Sequence, residues 1–355
     1  MTKPKTEISI QYLRAIAALM VVVFHVFSEM THFGYRGEWH VFLASGVDIF
    51  FVISGFIMWY ITSADTISPA AFYRKRIARI VPLYWLMTSA VVAVFLIRPQ
   101  LLSTTRLTFG RVICSFLFIP FPSSLPPHKL EPVLVTGWTL NYEMFFYLIF
   151  GLCLFLPRER RFFALIAVLL ACVTCQQFHP AENSLGEFYS SSILLEFGGG
   201  VAIAYAFSRG RVLGLVPSLA LVPLGAISLI LFASNDALPA LITRGLPALA
   251  IVAGAISIEQ QYRIPNLRIP RLFGDASYSI YLSHALVLSA ITQLWRRVEP
   301  SNATWNLVLF ALLATLTASL AGLAVYRWIE VPLQALVHRR RIALSAASSE
   351  SAALP

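Results

Sequence analysis

Apolar runs of about the length that crosses a bilayer as a helix alternate with short polar segments along this chain. They cover residues 8–27, 41–61, 80–97, 138–156, 162–178, 189–207, 212–232, 238–258, 272–294 and 305–329. The pattern predicts an all-α polytopic membrane protein with about ten transmembrane helices. Pro82, near the start of the third run, suits the first turn of a helix. Residues 98–136 break the pattern. Their apolar piece, 112–118, is too short to span, and Pro120, Pro122, Pro126 and Pro127 follow it. The expectation there is a loop with a partly buried or re-entrant piece.

Composition agrees with this reading. Of 355 residues, 58% are hydrophobic and 12% charged, about half the charged share of a soluble domain. The net charge of +10 does not indicate nucleic acid, because the basic residues sit in short clusters between apolar runs, as topology signals do. Ten spans place both termini on one side. With the N-terminus inside, most of the 27 lysines and arginines fall inside too, notably Arg74 to Arg79, Arg158 to Arg161, Arg263 to Arg271 and Arg339 to Arg341. Both termini are therefore expected to be cytoplasmic, with residues 1–338 forming one transmembrane domain and 339–355 a basic, then disordered, cytoplasmic tail. The start lacks the short apolar region and cleavage site of a signal peptide, so the first span is expected to be retained. Cys172 and Cys175 form a CxxC inside an apolar run, where cysteines behave as small hydrophobes. No metal site is expected.

The first run carries two ionisable groups, Arg14 and His25, eleven residues apart. At about 100° per residue that is close to three full turns, so both lie on one helical stripe about 16 Å apart along the axis. Such a stripe should face protein or an aqueous cavity, although a snorkelling arginine and a helix-bonded histidine are the alternative. On the predicted topology Arg14, Arg76, Arg79 and Glu330 lie toward the inner side. His25, Asp48 and Glu143 lie toward the outer side, and His284 is mid-span. Clustered arginines suit a phosphate-bearing cytosolic ligand. A histidine beside a carboxylate suits proton transfer. Read singly, the basic loop is also a topology signal, and each buried acid or His284 a simple interhelical bond. The 16 Å separation is about the reach of an extended pantetheine-like arm.

At these positions the chain resembles the acyltransferase-3 family of membrane O-acyltransferases, along nearly its whole length. Arg14 and His25 fit the family's Arg-x10-His pattern. Residues 46–56, GVDIFFVISGF, look like its second-span signature, and Arg76 and Arg79 its RxxR arrangement. Residues 138–147, WTLNYEMFFY, are similar to its tryptophan–glutamate motif. Asn141-Tyr142 there looks like the branch of bacterial exopolysaccharide (succinoglycan-type) acetyltransferases. Residues 278–284, YSIYLSH, and 329–332, IEVP, look like its late motifs.

The resemblance implies acyl-CoA, with acetyl-CoA first in line, as a cytosolic co-substrate, no bound cofactor, and a carbohydrate or lipid-linked sugar acceptor at the outer side of the cell inner membrane. It implies His25 as the catalytic residue and Arg14, Arg76 and Arg79 as donor-binding groups. The expected mechanism makes His25 a general base that Glu143 orients, with direct attack on the thioester or a transient acyl-histidine. Trp138, Asn141, Tyr142 and Ser54 are candidate oxyanion donors, and Asp48, His284 and Glu330 supporting residues. A transporter or flippase of an anionic or lipid-linked sugar, and a non-catalytic scaffold, are the other readings. The missing inverted repeat and paired broken helices weigh against the transporter.

Overall fold

A computed structural model describes residues 8–64, 67–98, 107–122, 130–175, 185–298 and 304–336. The N-terminal segment 1–7, Pro126, Pro127 and the tail 339–355 lie outside the described residues. Thirteen α-helices run through the described chain: α1 (Ile8–Met30), α2 (Gly46–Ala64), α3 (Pro69–Ile97), α4 (Phe109–Phe116), α5 (Trp138–Cys153), α6 (Arg158–Thr174), α7 (Leu185–Tyr189), α8 (Ile193–Ser208), α9 (Leu215–Phe232), α10 (Leu246–Gln261), α11 (Arg268–Asp275), α12 (Ser277–Arg296) and α13 (Thr304–Val325). An isolated antiparallel bridge joins Pro122 and Leu130.

Seven helices among the described residues are long and apolar enough to cross a membrane: Ile8–Phe33, Trp39–Ser63, Pro69–Ile97, Leu185–Ser208, Leu215–Phe232, Leu241–Gln261 and Thr304–Leu336. The other three predicted spans differ for identifiable reasons. α5 and α6 are helical but short, at 16 and 17 residues. The ninth divides at Ala276 into α11 and α12, and α12 buries Ser277, Ser279, Ser283 and His284, which lower its apolar character. The sixth is likewise interrupted, between α7 and α8.

Pro82 does not open its helix. α3 begins at Pro69, after Ser68 accepts the Ala71 amide at 3.3 Å, and Pro82 lies inside it. The basic stretch 74–79 therefore forms helix rather than loop, which places Arg76 and Arg79 one turn apart on one face. The irregular region holds α4, capped by Thr108. Arg111 is buried and donates to the carbonyls of Glu131 and Pro132 at 3.2 and 3.0 Å, and the Val133 amide donates to Ser115 Oγ at 2.8 Å. These bonds fasten the segment that leads into α5.

Two apolar clusters meet along α1. Leu13, Ala17 and Val21 pack into the larger one, with residues of α2, α3, α5, α8 and α10. Ala18, Val22 and Val26 pack into the other, against Ile280 and Leu288 of α12 and Phe310, Ala314 and Ala318 of α13. α2 and α8 approach so closely that a Cβ on Gly55 would lie 2.0 Å from the Phe197 carbonyl oxygen, and one on Gly200 2.0 Å from that of Val52. Close backbone approach through small residues is how helices associate where lipid leaves little hydrophobic driving force between them. The start of α1 is held by α10. Glu259 accepts the Ile8 amide at 2.8 Å, the Ser9 amide at 3.1 Å and the Ser9 hydroxyl. The Tyr12 hydroxyl donates to the Pro265 carbonyl at 2.6 Å and accepts the Leu267 amide at 2.7 Å.

Candidate active site

Because α1 is unbroken, the spacing of Arg14 and His25 is realised on one rod, about 16 Å apart along its axis. Arg14 lines a cavity of about 340 Å³ enclosed by α1, α2, α3, α5 and α12. Arg76 and Arg79 of α3 line the same cavity, so the three arginines expected at the donor end do converge. Among the described residues, Nε of Arg76 is buried with no hydrogen-bond partner. A buried guanidinium N–H with nothing to donate to is costly unless a ligand supplies the acceptor.

Glu143 is on the cavity wall, where it accepts hydrogen bonds from the Ser54 hydroxyl at 2.9 Å and from the Tyr147 hydroxyl. The expected orientation of His25 by Glu143 is not what the hydrogen bonds describe. Glu143 is committed to Ser54 and Tyr147, and His25 to other groups. Three guanidinium groups against this single carboxylate leave the cavity cationic, as anionic phosphates require.

Thr139, one turn before Glu143 on α5, and Tyr281 of α12 also line the cavity. The Tyr281 hydroxyl donates to the Thr136 carbonyl at 3.1 Å and lies 2.9 Å from the Thr139 hydroxyl. Behind Tyr281, its ring 5.8 Å away, is His284, fully buried. The His284 ring faces that of His25 at 4.8 Å. Nδ1 of His25 is 2.8 Å from the Val21 carbonyl, and Nδ1 of His284 is 3.3 Å from that of Ile280. A carbonyl only accepts, so the network assigns the proton to Nδ1 in both neutral rings. His284 Nε2, 3.3 Å from His25 Nδ1, is then an acceptor for the same N–H. The arrangement leaves Nε2 of His25 as that ring's basic atom.

The remaining expected residues lie elsewhere. Ser54 is the one of the four candidate oxyanion donors that lines the cavity. Tyr142 stacks on Phe188 at 3.8 Å, and Trp138 meets Phe51 and Tyr142 edge-on. Asn141 is buried with neither amide atom partnered among the described residues. Asp48 lies beside Glu196, with Arg244 nearby, and Glu330 accepts from Ser279 and from Gln334 at 2.8 Å. Sequence reasoning overlooked Thr139, Tyr147, Tyr278 and Tyr281. Their signal was available, since Tyr147 is one turn from Glu143 and Tyr278, Tyr281 and His284 recur every three residues.

Comparison with known proteins identifies the family. Residues 7–324 match the acyltransferase-3 family, described as an acyltransferase domain. The exopolysaccharide production protein ExoZ of Rhizobium meliloti strain 1021 is 37% identical over 305 residues, covering 84% of this chain and 92% of that protein. The peptidoglycan O-acetyltransferase OatA of Listeria monocytogenes is 26% identical over 367 residues, covering 92% of this chain but 55% of the relative. A putative peptidoglycan O-acetyltransferase of Bacillus subtilis strain 168, YrhL, is 25% identical and is covered to 54% of its length. No solved structure matches the chain. A family match across most of the sequence, with membrane-length helices around a cationic cavity and an imidazole pair, makes this chain a member of the acyltransferase-3 family, a multi-pass membrane O-acyltransferase.

Proposed function

We propose that the protein moves an acetyl, or another short acyl group, from cytosolic acyl-CoA to a hydroxyl of an exopolysaccharide or other surface carbohydrate. It would do so in the cell inner membrane, crossing it about ten times with both termini in the cytosol. One observation carries this reading: the arginine cavity and the histidine pair are joined by a single helix, and Tyr281 both lines the cavity and lies beside His284. Arg14, Arg76 and Arg79 bind the phosphates of the donor. The pantetheine arm runs along Ser54 and Glu143 toward Tyr281. The names of two relatives, an exopolysaccharide production protein and a peptidoglycan O-acetyltransferase, support a carbohydrate acceptor.

In the chemical step, Nε2 of His25 takes the acceptor hydroxyl's proton as the oxygen attacks the thioester carbonyl carbon. The C–S bond then breaks, and the CoA thiolate leaves with a proton returned from the imidazolium. His284 positions His25 by accepting from Nδ1–H, which keeps Nε2 basic. Glu143 holds Ser54 and Tyr147 on the cavity wall rather than acting on the imidazole.

Mass spectrometry of the surface polysaccharide, from cells with and without the protein, tests the proposal. The expected result is loss of one acyl increment per repeat unit. It is overturned if a His25→Ala protein, shown to be folded and inserted, still acylates the polymer at the normal rate.

A further inference from the structure

The stretch between α1 and α2 concentrates aromatic rings at the His25 end of α1. Phe24 meets the His25 ring edge-on, with centroids 5.1 Å apart, and lies 5.9 Å from the His40 ring. Phe27 stacks on His40 at 5.0 Å and meets Trp39 edge-on, also at 5.0 Å. Tyr35 joins from the other side, 5.3 Å from Phe27 and 5.6 Å from His40. The rings thus form one continuous chain from the reacting imidazole to the surface. The inner members are packed, since His40 is 7% exposed, but Trp39 at the rim is 63% exposed. Arg36 and Glu38, both exposed, flank it.

A residue as large and apolar as tryptophan, held open edge-on against the stacked pair Phe27 and His40, is a preformed platform. Its charged neighbours disfavour a purely apolar occupant. The occupant that fits is a pyranose ring: its C–H face is apolar and lies flat on an indole, while its hydroxyl rim can reach Arg36 and Glu38. The position selects the same occupant, because the platform is continuous with His25 and lies away from the arginine cavity.

We propose that Trp39, supported by Phe27 and His40, is the acceptor subsite and stacks a sugar ring of the carbohydrate at the His25 end of α1, so that a neighbouring sugar of the same chain is presented to His25. This rests on the acyl-transfer reading above and adds to it the place and chemistry of acceptor recognition. Lipid contact through Trp39, of the kind that fixes tryptophans at membrane interfaces, is the competing role.

The experiment uses the full chain in lipid nanodiscs. The probe is oligosaccharide cut from the surface polysaccharide of a strain lacking the protein. Titration with the oligosaccharide is expected to change tryptophan fluorescence in the wild type and much less in Trp39→Phe. Trp39→Ala is expected to raise the KM for the oligosaccharide about three- to tenfold, the value of one aromatic stacking contact. Its CoA affinity should stay within twofold of wild type, and Trp39→Phe should restore most of the KM. Unchanged KM in a folded Trp39→Ala protein overturns the subsite, as does strong quenching of Trp39 by brominated lipid that the oligosaccharide does not relieve. Oligosaccharide binding at Trp39 without acyl transfer by the wild type would overturn the enzymatic reading and leave the platform standing, so the two failures are distinguishable.

Discussion

His284 Nε2 lies 3.3 Å from His25 Nδ1, and each ring also gives its Nδ1 to the carbonyl four residues back on its own helix. The two carbonyls therefore set the tautomers of both imidazoles, and His284 adds an acceptor for His25 Nδ1–H, without a carboxylate. His25→Ala should lower kcat by about 10²- to 10⁴-fold, the usual worth of a positioned general base. His284→Ala should cost less and should not move the Kd for CoA. His284→Gln, which keeps an acceptor near Nδ1 of His25, should recover part of the loss. Steady-state kinetics with calorimetric CoA binding would check this, and equal loss in both His284 variants would reduce His284 to a packing residue.

Arg14, Arg76 and Arg79 should behave as one donor site. Removing one charge-assisted contact to phosphate costs about 1.5–3 kcal/mol, or roughly 10- to 150-fold in Kd. Arg76→Lys should fail to restore affinity, because an ammonium cannot reproduce a two-pronged contact. Binding of desulfo-CoA to the purified variants measures this without turnover.

The glycine contact between α2 and α8 predicts a stability effect without a chemical one. Gly55→Ala and Gly200→Ala each force a methyl group to within 2.0 Å of a backbone oxygen. Each should cost about 1–3 kcal/mol as overpacking. The readout is thermal unfolding in detergent, with CoA affinity at low temperature preserved.

Glu259 ties down the first turn of α1 through two amides and a hydroxyl. Glu259→Ala should cost about 1–3 kcal/mol and speed hydrogen exchange at Ile8 and Ser9. Intact exchange protection there would show that packing alone holds the helix.

What could be read beforehand follows a physical boundary. The periodicity of a long apolar helix is local, so the shared stripe of Arg14 and His25 and the spacing of Arg76 and Arg79 were legible. The meeting of all three arginines at one cavity followed from the polar residues' cost in lipid together with the family pattern. Which face of α5 turns toward which neighbour is not local. Glu143 was accordingly assigned to His25, whereas the hydrogen bonds of its Oε1 come from Ser54 and Tyr147. His284 was noticed, but its partner could not be, since 259 residues separate the two rings. Pro82 misled because the helix begins at Pro69 and runs through the basic stretch, which puts Pro82 in its interior. The break at Ala276 directly follows Gly274-Asp275, a turn signal lying within the single predicted span 272–294.

The anchoring of α1 by Glu259 and Tyr12 makes the protein asymmetric toward insertions. One residue added between Arg14 and His25 cannot be absorbed at the clamped start, so His25 would swing about 100° around the axis, away from His284. The same residue added among positions 34–38, where no helix runs, shifts no register in α1. Length on the Arg14 side of His25 therefore sets where its ring points, which makes the distance from Arg14 to His25 a fixed dimension of the enzyme.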